Sequence, residues 1–173
     1  TKDTAILQGD GTNNSVTGLF PTITTHKEDN GGKVLTKDQL DAMAQEVVDD
    51  GGSPACIVTT ARVGRMLNDM LYPSIREMQQ MELDVGYWVT AYNSPDGNRV
   101  PIIIDKNIDT ATKGEKLAFV DSTSFHIKEL DKPMLVPLAK TKLSTSSVLV
   151  TNFTCYNRAE YCNGLITNIG ETE

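Results

Sequence analysis

The spacing of the apolar residues changes once along the chain, from a helical period to a strand period. Between residues 36 and 73, apolar side chains recur every three or four positions in two stretches, which predicts two amphipathic helices. Thr36 offers an N-cap oxygen to the first helix, which ends at Gly51-Gly52, and Pro73 is expected to end or kink the second. A short apolar run at 55–59 predicts a buried strand between the two helices.

From residue 85 onward the pattern is typical of strands. Residues 85–92 are rich in aromatic and β-branched side chains, and Asp96-Gly97 predicts a hairpin turn before a partner strand in which Pro101 marks an edge or a bulge. The remaining expected elements are strands at 116–120, 124–128 and 147–156, an extended segment at the margin of a sheet at 134–139, and a turn with a further strand at 157–169. The chain is therefore predicted to be α+β, with a mainly antiparallel or mixed sheet flanked by helices.

The first 33 residues differ from the rest in composition. They are rich in Thr, Asn, Gly and Asp, and 9–15 has the residue types of a turn. Leu19-Phe20 is a short apolar anchor within this irregular stretch. We interpret the segment as a surface arm that connects to the folded part of the chain.

Charge and length exclude several classes of protein. The net charge is −7, and Lys and Arg form no cluster, so the basic face that a nucleic-acid-binding protein normally carries is missing. No apolar run approaches the roughly 18 residues of a membrane-spanning helix. Three cysteines, without a secretory signal, argue against a disulfide framework. These features are typical of an acidic globular protein.

One pair of residues could in principle support catalysis. Cys56 is a candidate nucleophile with His126 as its base, and a nucleophilic cysteine needs a lowered pKa and a nearby base. Cys56 lies in an apolar run, however, where a free cysteine commonly behaves as a small apolar side chain. The chain contains no phosphate-binding glycine loop and no Gly-x-Ser-x-Gly motif. We therefore predict no catalytic residues and no cofactor.

Two polar clusters contain residue types that can bind metal ions. His26 with Glu28 and Asp29 could bind a metal ion, but the cluster lies in the predicted arm, where a solvated loop is the simpler interpretation. Residues 10, 12 and 14 alternate like the start of a calcium-binding loop, but the distal Glu of such a loop is absent. We predict no metal site.

The C-terminal half carries a more specific pattern. Leu117-Ala118-Phe119-Val120-Asp121 is followed by Phe125-His126-Ile127-Lys128-Glu129-Leu130, by Lys132-Pro133-Met134, and by Pro137-Leu138-Ala139-Lys140-Thr141. This pattern resembles the end of tailed-phage and prophage major capsid proteins. Those proteins share the Hong Kong phage capsid fold, which also builds encapsulin compartments and the herpesvirus capsid floor.

The resemblance implies a domain organisation. Residues 1–33 would be a connecting arm, 34–140 an axial domain, and 141–173 the C-terminal part of a peripheral domain. Whole subunits of the family also carry an N-terminal arm, an extended loop and a long spine helix ahead of this region. The resemblance therefore implies a truncated subunit.

The resemblance also implies a function. The chain would be a structural subunit of an icosahedral head, a homo-oligomer of hexamers and pentamers in the virion capsid, assembled in the host cytoplasm. Packaged DNA would lie nearby without specific binding, and no membrane would be involved. Two structural alternatives stay open, a phage tail or baseplate protein and an encapsulin-like compartment shell, besides a hydrolase that uses Cys56 and His126. The residues that we expect to contact neighbouring subunits are Leu19, Phe20, Met78, Met81, Asn93, Asp96 and Asn98.

Overall fold

A mixed sheet with helices on it forms the body of the protein. The computed structural model describes residues 5–12, 16–76, 91–108, 110, 114–138 and 147–170. The helices are α1 (Ala5–Gln8), α2 (Leu19–Thr22), α3 (Lys37–Asp49) and α4 (Ala61–Arg76); the strands are β1 (His26–Asp29), β2 (Cys56–Thr59), β3 (Ala91–Asn93), β4 (Arg99–Ile104), β5 (Glu115–Val120), β6 (Phe125–Pro137), β7 (Ser147–Asn157) and β8 (Gly164–Ile169), with a 3-10 helix at Glu160–Cys162. No helix among these residues is long and apolar enough to span a membrane.

Six strands form one sheet in the order β1-β8-β5-β2-β4-β3. β1 runs parallel to β8 and β2 runs parallel to β4, while the other neighbours are antiparallel. The sheet is therefore mixed, and the predicted α+β class is confirmed. The hairpin predicted around Asp96-Gly97 is also confirmed, because β3 and β4 pair antiparallel on either side of it.

Local signals placed α3 correctly. The Thr36 hydroxyl accepts a hydrogen bond from the Gln39 N–H at 3.3 Å, and the Gln39 side chain accepts one from the Thr36 N–H at 3.2 Å. Leu40, Met43, Ala44 and Val47 form the buried face of the helix. The helix α4 runs through Pro73 to Arg76 and does not end at the proline. A proline removes one hydrogen bond, but its φ is itself helical, so the chain can continue.

The two faces of the sheet are both covered, by different parts of the chain. Leu117 and Phe119 of β5 point into a cluster with α3 and α4. Ala118, between them, points to the opposite face, where it meets α2. The prediction that residues 1–33 form only a surface arm is thus wrong. Leu19 and Phe20 are 1% and 4% exposed, because they cover the second apolar face of the sheet.

The sheet crosses both predicted domain boundaries. Its strand β1 comes from the predicted arm, β2 to β5 come from the predicted axial domain, and β8 comes from the predicted C-terminal part. The domain boundaries at 33 and 140 stay a prediction. Hydrogen-bonded strands of the same sheet lie on both sides of each boundary.

Glu160 joins the 3-10 helix to the segment that leads into β1. Its carboxylate accepts hydrogen bonds from the Thr24 N–H at 2.8 Å, from the Thr25 N–H at 3.1 Å and from the Thr25 hydroxyl. Burial alone would raise the pKa of this carboxyl, but the hydrogen bonds outweigh burial and hold the pKa below its usual value.

Replacing Glu160 by Gln is expected to lower the free energy of unfolding at neutral pH by about 1–2 kcal/mol, because charged hydrogen bonds are lost. A carboxyl whose pKa is lower in the folded chain stabilises the fold above its unfolded pKa, and this contribution disappears as the pH falls through the folded pKa. Urea denaturation should therefore show that the wild type loses stability more steeply than Glu160→Gln between about pH 5 and pH 3. An identical pH dependence of the two proteins would contradict this role.

Candidate assembly surface

A second sheet stands apart from the first. Among the described strands, β6 and β7 pair only with each other and form an antiparallel ribbon. The sequence predicted two separate segments at 124–128 and 134–139, whereas the structure has one strand of 13 residues. Pro133 and Pro137 do not break this strand because it lies at a sheet edge, the position where strands tolerate proline.

The ribbon exposes an unusual number of large apolar side chains. Leu135 and Leu149 are 68% and 67% exposed, and most other apolar residues of the ribbon are also exposed. Among the described residues, the exposed apolar side chains on and beside the ribbon are those of Ile127, Leu130, Met134, Leu135, Val136, Leu138, Val148, Leu149, Val150, Phe153 and Tyr156. Contiguous apolar surface of this kind marks an interaction site in a soluble protein.

Both faces of the outer part of the ribbon are apolar. Leu135 lies opposite Leu149, so their side chains share one face. The neighbouring pairs Met134–Val150 and Val136–Val148 share the other face, because successive residues of a strand point to opposite sides. A two-stranded ribbon cannot bury either face by itself and is marginally stable in water. It therefore requires cover from outside the ribbon.

The base of the ribbon is anchored to the body. The Asn157 side chain donates a hydrogen bond to the Thr22 hydroxyl at 3.3 Å, and the Arg158 N–H donates one to the Ser124 carbonyl at 2.7 Å. Phe125 packs against the cluster that contains α2. The ribbon thus leaves the body from a fixed root.

The hairpin tip that was expected to contact neighbours is a rigid polar turn. The Asp96 carboxylate accepts hydrogen bonds from the Asn98 N–H at 3.0 Å and from the Asn98 side chain at 2.7 Å. Ser53 links to both residues, which ties the tip to the turn after α3. These bonds lower the pKa of Asp96, with the Asn98 N–H as the largest cause. Asn93 is exposed beside this turn.

The other expected contact residues fall in two groups. Leu19 and Phe20 are inside the molecule, so the prediction that they form a surface anchor is wrong; their apolar character serves the sheet's second face. Met78 and Met81 lie outside the described residues. The structure therefore brings together only Asn93, Asp96 and Asn98, at the hairpin tip.

The catalytic and metal candidates gain no support from the geometry. Burial raises the pKa of the Cys56 thiol, whereas a nucleophilic cysteine needs a lowered pKa. His126 lies on the ribbon, with its ring centroid 5.3 Å from that of Tyr156.

His26 belongs to β1, and its ring nitrogens lie 3.6 Å from Glu46 on α3 and 3.0 Å from Asp50, the residue that follows α3. The side chain therefore joins the edge strand to α3. In the described part of the chain, no group of three His, Cys, Asp or Glu is placed to hold a metal ion.

The sequence patterns did not predict the ribbon as an interaction surface. The sequence does contain a pattern typical of such a ribbon, because two apolar stretches, Met134–Pro137 and Val148–Val150, lie on either side of a polar stretch at 140–147. Apolar residues in strands are by default interpreted as core, and only the structure distinguishes an exposed ribbon from a buried one.

Comparison with known proteins identifies the family of this chain. The family model of the SU10 major capsid protein matches residues 2–170. The chain belongs to this family. Capsid proteins form their shells from many copies. The description of the family is that of a structural protein.

A solved structure supports the fold. The chain is similar to the encapsulin subunit in the holo-SrpI encapsulin complex from Synechococcus elongatus PCC 7942, with a TM-score of 0.59 and 13% sequence identity. The match covers 90% of this chain, which spans 58% of the encapsulin subunit. The predicted Hong Kong phage capsid-type fold is confirmed by this likeness, which concerns the fold alone. No curated protein matches the chain.

Proposed function

We propose that this chain forms part of the major subunit of a tailed-phage or prophage head, and that it works by packing against copies of itself. The observation that carries the proposal is the match of the SU10 major capsid protein family to residues 2–170. The exposed ribbon supports the proposal, because an apolar surface on both faces needs cover that the described residues do not supply.

The dimensions of the ribbon fit insertion between neighbours. With 11 residues in β7, a rise of about 3.3 Å per residue and two strands about 5 Å apart, each face measures on the order of 350 Å². A standard interface buries about 800 Å² per partner, so one face supplies less than half of this area. Both faces together approach it. We therefore infer that neighbouring subunits cover the ribbon from both sides.

The finer features of the shell are also part of the proposal. Subunits would form hexamers and pentamers that close an icosahedral head, as repeated weak contacts can do in a symmetric assembly. The net charge of −7 is consistent with packaged DNA that lies nearby without tight binding. Assembly would take place in the host cytoplasm, without a membrane.

The hairpin tip is proposed as a second, polar contact. Asp96 and Asn98 are held rigidly by their mutual hydrogen bonds, so a neighbour that meets them would not need to order them. Asn93 lies beside them on the exposed surface. Met78 and Met81 stay proposed contacts on the sequence alone, since methionine adapts its shape to partners.

Assembly can be tested directly. The protein, expressed in the full form that its gene encodes, is expected to yield closed particles in sedimentation and in negative-stain electron microscopy. Sulfate should also favour assembly, because salts of this kind strengthen the burial of apolar surface and the ribbon is apolar. A protein that stays a small monomer under every assembly condition would exclude the proposed function.

A further inference from the structure

The chain contains two Asn-Gly pairs, Asn30-Gly31 and Asn163-Gly164. An asparagine that precedes a glycine loses its side-chain amide readily, because the glycine nitrogen can approach the side-chain carbon without hindrance from a Cβ. The two pairs have the same intrinsic chemistry but different surroundings. The fold therefore decides which of them reacts.

The pair Asn163-Gly164 is held on both sides. The Asn163 side chain is fully buried, and its amide makes three hydrogen bonds. Gly164 pairs with His26 of β1 and with Phe119 of β5. A Cβ on this glycine would lie 2.9 Å from the Met43 sulfur, so the backbone is closely packed here. We expect this pair to be inert in the folded protein.

The pair Asn30-Gly31 lies in the segment between β1 and α3. Gly31, Gly32 and Lys33 are exposed, and both glycines have a positive φ with open space where a Cβ would lie. The Asn30 side chain is held by two hydrogen bonds: its Nδ2 donates to the Lys33 carbonyl, and its Oδ1 accepts from Gln39 Nε2 at 2.9 Å. Opening of these bonds in an exposed turn is enough to release the amide.

A carboxylate already faces the nitrogen that would attack. The Gly31 N–H donates a hydrogen bond to Asp29 Oδ1 at 2.9 Å. This nitrogen must lose its proton when it bonds to the side-chain carbon of Asn30, and a base within hydrogen-bond reach can accept that proton. Asn168 Nδ2 donates to the same Asp29 oxygen at 3.0 Å, which fixes the position of the carboxylate.

We propose that Asn30 is a site of spontaneous deamidation, with the Gly31 nitrogen as nucleophile, Asp29 as base and Gln39 as the residue that delays the reaction. The Gly31 proton passes to Asp29 as the nitrogen bonds to Asn30 Cγ. The side-chain nitrogen takes this proton from Asp29 and leaves as ammonia, so that a cyclic imide remains. Water then opens the imide at either of its two carbonyl carbons, which gives aspartate or isoaspartate. The balance is asparagine plus water to aspartate or isoaspartate plus ammonia.

The product would loosen the end of β1. At present the Asn30 N–H donates to the Thr167 carbonyl at 2.9 Å, and the Lys33 carbonyl accepts from the Gly170 N–H at 2.8 Å, so this turn ties β1 to β8. A carboxylate at position 30 removes the donor to the Lys33 carbonyl and adds a charge next to Asp29. The variant Asn30→Asp should therefore show faster hydrogen exchange in β1 than the wild type, and equal exchange would contradict this consequence.

Ageing of the wild-type protein tests the proposal without a substitution. After incubation at neutral pH, peptide mass spectrometry should find aspartate and isoaspartate at position 30 at a rate at least ~10-fold higher than at position 163. In urea, where the fold no longer distinguishes the pairs, the two rates should become similar. The proposal is overturned if Asn163 reacts as fast as Asn30 in the folded protein, or if neither reacts there while both react in urea.

The base is tested by Asp29→Asn. This variant keeps an acceptor for the Gly31 N–H but cannot take its proton, so deamidation at Asn30 should be slower by about 10-fold or more. The rate at Asn163 in urea should stay that of the wild type. An unchanged rate at Asn30 would overturn the role of Asp29.

The delay by Gln39 is tested against a matched control. Gln39→Ala removes one hydrogen bond from the Asn30 amide and should raise its rate of deamidation about 5-fold. Thr36→Ala breaks the same capping box of α3 but keeps the bond from Gln39 to Asn30, so its rate should equal that of the wild type. If Thr36→Ala accelerates the reaction as much as Gln39→Ala, the start of the helix and not Gln39 controls the reaction.

Discussion

A protein that carries both Leu135→Asp and Leu149→Lys is expected to fold normally and to form no shells. The two leucines lie opposite each other on one face of the ribbon and are more than half exposed in this chain. Opposite charges placed across an antiparallel pair attract each other, so the ribbon itself should tolerate the change. The free energy of unfolding is expected to change by less than about 1 kcal/mol, as is usual for exposed positions.

Assembly should respond far more strongly than folding. An interface that covers the ribbon would have to remove both new charges from water, which costs several kcal/mol for each ion, and it would lose the burial of two leucine side chains, worth roughly 2 kcal/mol each. In a closed shell the same penalty recurs in every subunit. Sedimentation should therefore find only unassembled protein, with a circular dichroism spectrum like that of the wild type.

The control carries the same two charges elsewhere. Ile6 and Ile103 are also exposed aliphatic side chains, but they belong to α1 and β4 and not to the ribbon. A protein with Ile6→Asp and Ile103→Lys is expected to form particles. If both double variants assemble, the ribbon is not a contact surface; if neither assembles, added charge alone explains the loss.

The elements that sequence patterns predicted well are those with local causes. The helix α3 has a capping box at its start, an apolar stripe along one face and glycines beyond its end, and each signal lies within a few residues of the position that it determines. The same holds for the turn at Asp96-Gly97, where the side chain bonds to the backbone two residues later.

The elements that were misjudged depend on distant parts of the chain. Leu19-Phe20 is surrounded by turn-forming residues, and nothing local indicates that β5 and β8 offer a second apolar face for it. The segments expected at 124–128 and 134–139 belong to one strand, because Pro133 is tolerated at an edge, and whether a strand is an edge depends on the whole sheet. The assembly surface was missed for the same reason, since the exposure of Leu135 or Leu149 follows from what does not pack against the ribbon.

The root of the ribbon depends on one buried amide. Asn163 is fully buried, and its Oδ1 accepts a hydrogen bond from the Asp121 N–H at 2.9 Å. Its Nδ2 donates to the Ser124 hydroxyl at 2.7 Å and to the Ala159 carbonyl at 3.3 Å. Asp121 follows β5 and Ser124 precedes β6, so this side chain fixes the point at which the chain leaves the main sheet for the ribbon.

Replacing Asn163 by Ala is accordingly expected to lower the free energy of unfolding by about 3 kcal/mol. The buried Asp121 N–H loses its partner, and the Ser124 hydroxyl and the Ala159 carbonyl each lose one of two hydrogen bonds. Urea denaturation should show a midpoint about 1.5 M lower, given a slope of roughly 2 kcal/mol per M for a chain of this size. The control is Asn107→Ala at an exposed position, where a change within about 0.5 kcal/mol is expected. A loss below about 1 kcal/mol for Asn163→Ala would mean that water or a rearranged turn replaces the amide. The contacts of Phe125 and Asn157 with α2 would then determine the direction in which the ribbon leaves the main sheet.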